Sequence, residues 1–202
     1  MNPAAEFDLI VYGATGYTGR LVAEYLAGKY GVGGDVKWAM AGRSAAKLAE
    51  VRDETGAPAN TPLVVADTND AASLDAMVRR TKAVITTVGP YSLYGEPLVA
   101  ACAAAGTDYL DLTGEPLWMH QMIGRYNDAA KASGARILFS CGFDSIPFEA
   151  GVWLMQETAK KTLGSYVQRA KSRVRSMRGG FSGGTFASMG AMMGLIQKDP
   201  RS

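Results

Sequence analysis

The sequence predicts an α/β fold, a doubly wound parallel sheet with helices on both faces. From Phe7 to Ser140, short apolar runs rich in β-branched residues alternate with helical patterns, as in repeated βαβ units. The chain has 202 residues, 48% of them hydrophobic, which is enough for one full core with a remnant left over. The alternation stops after Pro147. We therefore expect one domain in residues 1–147 and the beginning of an incomplete second α/β domain in residues 148–202.

Six strands and five helices are predicted in the first domain. The strands are expected at Phe7–Tyr12, Val36–Ala41, Leu63–Ala66, Ala83–Val88, Tyr109–Leu112 and Arg136–Ser140. The helices are expected at Thr18–Tyr30, Ala45–Asp53, Ala72–Arg80, Gly95–Ala105 and Leu117–Ser133. Ser44 and Asp70 are suited to cap two of these helices. In a sheet of this kind, ligands bind beyond the carboxyl ends of the strands.

The second region has a different pattern. It predicts a helix from Phe148 to Lys161, a long strand from Ser165 to Arg175 and a glycine-rich turn from Gly179 to Gly184. Four basic residues of that strand alternate as one face would, namely Arg169, Lys171, Arg173 and Arg175. Such a face is either solvated or meets an acidic substrate or an acyl-carrier partner. Because these elements are too few to close a core, we expect a truncated substrate and dimerisation domain.

Composition excludes several classes of function. The formal net charge is +2, so the balance of charge does not favour nucleic acid or an anionic membrane as a partner. Cys102 and Cys141 are far apart in sequence, which argues against a disulfide framework or a metal site and favours a reducing cytoplasm. The strongest apolar stretch, Phe186 to Ile196, is shorter than the ~18 residues of a membrane span.

A glycine motif connects the first strand to the first helix. Gly13, Gly16 and Gly19 follow the spacing GxxGxxG. In a Rossmann-type loop the first glycine allows the tight turn, the second lets the backbone approach a pyrophosphate, and the third lets the helix pack closely. The alternative is a glycine-rich turn that serves only the fold. We predict phosphate contacts from the whole loop: Gly13, Ala14, Thr15, Gly16, Tyr17, Thr18 and Gly19.

The end of the second strand predicts which dinucleotide binds. NAD-specific domains place an acidic residue there for the ribose hydroxyls, but no Asp or Glu lies between Asp35 and Glu50. Instead, Arg43 can pair with the 2′-phosphate of NADP, and Ser44 can add a hydroxyl donor. The alternative is that Arg43 begins a solvated helix. We predict that the cofactor is NADP.

Other candidate residues follow the later strands. Asp67 follows the third strand and either lies at the adenine edge or caps the segment near Asn69. Val88, Gly89 and Pro90 follow the fourth strand, where the nicotinamide half of a dinucleotide crosses the sheet. Tyr91 and Tyr94 could position substrate or relay a proton, or could simply pack.

The fifth and sixth strands deliver polar residues to the same edge. We expect the backbone of Gly142 and Phe143 to lie near the nicotinamide, while polar side chains hold the loops or cap helices. Those side chains are Asp111, Thr113, Glu115, Cys141, Asp144 and Ser145. His120, the single histidine, is expected at the surface of a helix. Tyr25 and Lys29 match the YxxxK spacing of short-chain dehydrogenases, but they lie in the first helix. The sequence identifies no catalytic acid or base.

The combination of these motifs resembles the saccharopine dehydrogenase-like oxidoreductases, in particular the bacterial branch that includes the mycobacterial trans-acting enoyl reductases. The segments that carry the resemblance are Asp8–Leu26, Ala41–Ser44, Val88–Pro97, Asp108–Glu115 and Ser140–Pro147. The resemblance implies NADP-dependent hydride transfer with a small-molecule or lipid substrate. It also implies substrate contacts, and a possible homodimer interface, in an α/β domain after the Rossmann part.

Two hypotheses of function follow. The first is an NADPH-dependent oxidoreductase in which the protein orients the nicotinamide and the cofactor supplies the hydride. The second is a non-catalytic regulator that senses NADP. Because residues 148–202 contain few elements, we expect this chain to fold and bind cofactor without turning over substrate alone.

Overall fold

The computed structural model of the chain describes residues 5–180 and 182–198. Six parallel strands form one sheet in the order β3-β2-β1-β4-β5-β6. The strands are β1 Phe7–Tyr12, β2 Trp38–Gly42, β3 Leu63–Val65, β4 Thr81–Thr86, β5 Asp108–Leu110 and β6 Ile137–Leu138. This order confirms the doubly wound sheet. From β1 the strands β2 and β3 are added toward one edge of the sheet, and β4, β5 and β6 toward the other edge. The point between β1 and β4 where the order switches is where such folds bind ligands.

The helices lie close to their predicted positions in the first domain. Their bounds are α1 Tyr17–Tyr30, α2 Ala45–Glu54, α3 Ala71–Val78, α4 Tyr91–Tyr94, α5 Glu96–Ala105, α6 Pro116–Ser133, α7 Ile146–Leu163 and α8 Gly183–Lys198. The expected caps are present, because Ser44 accepts the Lys47 N–H and Asp70 accepts those of Ala72 and Ser73. No helix within the described ranges is long and apolar enough to cross a membrane.

Neighbouring residues of β1 supply both faces of the core. Ile10 and Val11 are both fully buried, and successive side chains of a strand point to opposite faces. Ile10 belongs to a cluster that includes Leu98 of α5, whereas Val11 belongs to one that includes Leu48 of α2. Two apolar layers therefore hold the sheet and keep the carboxyl ends of its strands fixed.

The predicted strand from Ser165 to Arg175 is wrong. Residues 165–180 contain no strand, and the alternating basic side chains between Arg169 and Arg175 are all exposed. A strand needs a neighbour for its backbone hydrogen bonds, and alternation of charge supplies none. The end of the predicted turn from Gly179 to Gly184 is also different, because Gly183 and Gly184 form the start of α8.

Candidate functional site

A cleft of about 320 Å³ lies where the strand order reverses. It is formed by the loops that follow the first four strands. Its lining residues are Tyr12, Gly13, Thr15, Gly16, Gly42, Arg43, Thr68, Asn69, Thr87, Val88, Gly89 and Tyr94. We call this the main cleft. Its position at the carboxyl edge is the one that the topology assigns to a ligand.

The glycine loop lies at the base of the main cleft. Gly13 has a φ of 87°, and a Cβ there would lie 2.7 Å from Val88 Cγ2. A Cβ on Gly19 would lie 2.1 Å from the carbonyl oxygen of Gly13, so helix and loop touch through their backbones. At Gly16, by contrast, a Cβ would meet only the Gly13 oxygen, at 3.4 Å. Gly16 therefore leaves its cleft-facing side open to a ligand.

The start of α1 faces the same loop. Gly16 is the N-cap residue, no side chain caps it, and no acidic residue lies in the first turn. Uncapped N–H groups and the helix dipole favour an anion at this end. Among the other predicted loop residues, Thr15 lines the main cleft, while Ala14 and Gly19 are buried in the fold.

Arg43 lies at the edge of the main cleft, directly after β2, and its side chain is exposed. Thr68 and Asn69 line the cleft beside it, after β3. Ser44 does not line the cleft; its hydroxyl oxygen accepts the Lys47 N–H at 3.3 Å. An exposed cation at the end of β2, in a stretch of sequence without Asp or Glu between Asp35 and Glu50, suits a phosphate on the adenosine ribose.

Asp67 shapes the adjoining turn. Its carboxylate accepts the Asn69 N–H at 2.9 Å, and the cap of α3 is Asp70. Asp67 itself is absent from the residues that line the main cleft. The structure thus places its carboxylate in the turn that carries Thr68 and Asn69.

Sequence reasoning missed Tyr12 as a residue of this site. Its side chain is 2% exposed, yet it lines the main cleft at the end of β1. Burial, and next the charge of Asp67, raise the pKa of Tyr12 to about 12, despite a hydrogen bond with Thr68. Tyr12 is therefore a neutral phenol at neutral pH. In the sequence, Tyr12 looks like another apolar residue of the first strand. Only its position just before the first glycine of the motif could have indicated a place in the site.

The loop after β4 forms the opposite wall of the main cleft. Val88 and Gly89 line the cleft, whereas Pro90 is buried behind them. Tyr91 is buried, and its hydroxyl donates to the Thr86 carbonyl at 3.1 Å. Burial raises the pKa of Tyr91, so this residue packs and anchors the loop. Tyr94 lines the cleft and is partly exposed.

Two buried carboxylates in the loop between β5 and α6 accept backbone N–H groups of the surrounding loops. Glu115 accepts the N–H groups of Tyr91 and Ser92 at 2.8 and 2.9 Å. Asp111 accepts those of Thr113 and Ser140 at 3.1 and 2.8 Å.

Asp111 also determines the shape of the loop after β6. It accepts the Tyr109 hydroxyl at 2.9 Å, and burial raises its pKa despite these hydrogen bonds. Ser140 has a φ of 58°, a left-handed conformation that a serine adopts only when its surroundings hold it. Its hydroxyl donates to the Thr113 carbonyl at 2.7 Å. These contacts agree with the expectation that the polar side chains hold the loops.

Two further cavities extend the main cleft along the carboxyl edge. The second cavity, of about 240 Å³, shares Thr87 and Gly89 with the main cleft and is bounded by Glu115 and Met189. The third cavity, of about 510 Å³, shares Thr18 and Asp144 with the second. Its other lining residues include Tyr17, Leu112, Gly142, Phe143, Ser145 and Met177. Gly142 and Phe143 thus lie in the third cavity and not in the main cleft.

Helix α8 and the residue before it line the second cavity, which sequence reasoning did not foresee. Ser182, Thr185 and Ser188 line it, and the Ser188 hydroxyl oxygen lies 3.7 Å from the Cβ position of Gly89. Glycines and small residues gave this segment the pattern of a turn followed by an apolar tail. Its contact with the β4 loop is long-range and leaves no local signal.

The remaining candidates lie away from these cavities. His120 is exposed on α6. Lys29 donates to the Tyr25 hydroxyl at 2.9 Å on the exposed side of α1. Within residues 5–180 and 182–198, no group of three or more His, Cys, Asp or Glu residues could hold a metal ion.

Comparison with known proteins identifies a domain type. Residues 9–138 match the saccharopine dehydrogenase NADP-binding domain family, so the cofactor of this domain is NADP. A Mycobacterium tuberculosis protein named as a candidate trans-acting enoyl reductase is 48% identical over 96% of the chain and 46% of its own length. The trans-acting enoyl reductase of Mycobacterium bovis is 42% identical over 100% of the chain and 48% of its length. The chain spans about half the length of these relatives.

Solved structures share the fold. Saccharopine dehydrogenase from Saccharomyces cerevisiae matches with a TM-score of 0.55 at 17% identity, over 76% of this chain and 32% of that one. Triphenylmethane reductase from Citrobacter, solved with NADP(H), matches with a TM-score of 0.51 at 18% identity, over 75% of this chain and 55% of that one. Both likenesses agree with the Rossmann-type sheet.

Proposed function

Because this chain belongs to the saccharopine dehydrogenase NADP-binding domain family, we propose that it is the cofactor-binding part of an NADPH-dependent oxidoreductase. The observation that carries the proposal is a single cleft with the glycine loop at its base and Arg43 at its edge. The substrate is a small molecule or a lipid. When bound, NADPH supplies the hydride, and the residues of the chain bind and orient it.

Residues of the main cleft offer a contact for each part of this cofactor. The open side of Gly16 and the uncapped start of α1 suit a pyrophosphate. Arg43 suits the 2′-phosphate, with Thr68 and Asn69 beside the adenosine. The nicotinamide half would then lie against the wall formed by Val88 and Gly89.

The third cavity is the candidate substrate site. It adjoins the second cavity on the side away from Arg43. Apolar side chains line much of it, including Leu112, Phe143 and Met177, which suits an acyl chain or another apolar body. The names of the mycobacterial relatives point to an enoyl substrate, whose carbon–carbon double bond becomes saturated when it takes up a hydride and a proton.

A non-catalytic NADP-sensing regulator is the second candidate. It is favoured by one observation: the buried carboxylates of Asp111 and Glu115 are both occupied by backbone N–H groups. Both carboxylates therefore hold loops in place. Asp144, which lines the second and third cavities and is exposed, remains as a polar group that a substrate could reach.

Turnover separates the two candidates. Full-length protein is incubated with NADPH and, in turn, enoyl thioesters, keto acids and amino acids, while NADPH absorbance is followed. We expect enoyl thioesters to cause NADPH oxidation, and NADH to support much slower oxidation. Tight NADPH binding without oxidation by any compound would contradict the oxidoreductase and favour the regulator.

A further inference from the structure

Both carboxylate oxygens of Glu115 accept hydrogen bonds from the backbone of another loop. Its side chain is buried, with the residue 4% exposed. One carboxylate oxygen accepts the Tyr91 N–H at 2.8 Å, and the other accepts the Ser92 N–H at 2.9 Å. A buried carboxylate is costly unless both oxygens are hydrogen-bonded, and hydrogen bonds to a charged acceptor are about twice as strong as neutral ones.

The two N–H groups belong to the start of α4, immediately after Val88, Gly89 and Pro90. Glu115 lies in the loop between β5 and α6. The contact therefore ties the loop after β4 to the loop after β5, across the boundary between neighbouring strands.

The other end of α4 is also held in place. A Cβ on Gly95 would lie 2.6 Å from Trp118 Cζ2 and 2.8 Å from the Tyr91 carbonyl oxygen, so α4 and α6 are in close contact. With the packing at Gly95 at one end and the Glu115 carboxylate at the other, α4 has little freedom to shift. These two contacts hold the helix that directly follows Val88, Gly89 and Pro90.

The wall formed by Val88 and Gly89 can contact only one half of the cofactor. Strands β2 and β3, with Arg43 and Asn69, lie on one side of the glycine loop, and β4 lies on the other. If the adenosine half lies toward Arg43, as in the proposed function on which this step rests, the nicotinamide half must lie toward Val88 and Gly89. Glu115 does not line the main cleft but borders the second cavity beside Gly89, and both of its carboxylate oxygens accept N–H groups of the loop after β4.

We propose that Glu115 is a positioning residue that holds the β4 loop against the nicotinamide half of NADPH. Its carboxylate fixes the first turn of α4, and the loop before that turn then presents Val88 and Gly89 at a fixed place. The adenosine half meets the loops after β2 and β3, so its binding should depend far less on Glu115.

Replacing Glu115 with glutamine tests this directly. A carboxamide keeps one acceptor oxygen, but its NH2 group then faces a buried N–H that has no acceptor. We expect the Kd for NADPH to rise about tenfold, the equivalent of losing one charge-assisted hydrogen bond. The Kd for 2′,5′-ADP, which lacks the whole nicotinamide half, should change by less than about twofold.

Glu96→Gln is the matched control, because Glu96 is a half-buried carboxylate on α5 that pairs with Arg125, accepts the Tyr126 hydroxyl and lines none of the three cavities. It should leave both dissociation constants unchanged. An equal loss for the two compounds in Glu115→Gln would show a merely structural role and overturn the proposal, as would no loss for NADPH. Wild-type protein that binds neither compound would refute the proposed function itself.

Amide exchange on the wild-type protein provides a second test if Glu115→Gln does not fold. The amides of Tyr91 and Ser92 should exchange slowly, and NADPH should slow them further than 2′,5′-ADP does. Equal protection by the two compounds would overturn the proposal.

Discussion

Replacing Gly19 with alanine is expected to weaken NADPH binding strongly and to destabilise the fold. The new Cβ would lie 2.1 Å from the Gly13 carbonyl oxygen and 2.8 Å from Ala14 Cα. Both are backbone atoms, so the glycine loop and α1 must move apart. We expect the free energy of unfolding to fall by about 1–3 kcal/mol, as for other overpacked sites. We expect NADPH affinity to fall more than about 100-fold, because the displaced loop provides the phosphate contacts.

Gly28→Ala is the control for this prediction. Gly28 lies in the same helix, and a Cβ there would meet nothing within 4 Å. Alanine should stabilise the helix by about 0.8–1 kcal/mol and leave NADPH affinity unchanged. Urea unfolding gives the stability of each variant, and fluorescence titration gives the affinity. Wild-type affinity in Gly19→Ala would contradict the assigned role of the loop.

Replacing Arg43 with alanine is expected to remove most of the preference for NADPH over NADH. Arg43 lies at the cleft edge after β2, and no acidic residue lies between Asp35 and Glu50. A charge-assisted contact with the 2′-phosphate contributes about 1.5–3 kcal/mol, which corresponds to a loss of about 10- to 150-fold in NADPH affinity. NADH lacks that phosphate, so its affinity should stay within about twofold.

Arg125→Ala controls for the loss of an exposed arginine. Arg125 lies on α6, pairs with Glu96 and is absent from the main cleft. It should change neither affinity. Titration of both nucleotides against Arg43→Ala and Arg125→Ala gives the comparison, and an unchanged NADPH to NADH ratio in Arg43→Ala would remove the argument for 2′-phosphate recognition.

Local patterns predicted the sheet and the glycine loop. Each strand of the first domain carries its own apolar run, and strand, glycines and helix are consecutive between Phe7 and Tyr30. The spacing of Gly13, Gly16 and Gly19 therefore predicted a tight turn, an open side and a close helix contact, and the structure shows each of them.

Long-range contacts were not predictable in the same way. Glu115 meets Tyr91 and Ser92 across more than twenty residues of sequence, and nothing at either position indicates the other. The strand predicted for residues 165–175 was wrong because a local pattern was present without the long-range contact that a strand requires. Their local alternation is real, but a strand also needs a neighbour, which the sequence pattern could not reveal.

The comparison of NADPH with NADH on the wild-type protein tests the central claim most directly. Calorimetric titration gives both dissociation constants under one set of conditions. If the main cleft binds NADP(H) with Arg43 at the 2′-phosphate, NADPH should bind at least about tenfold more tightly than NADH. Equal affinities, or no measurable binding of NADPH, would contradict this account.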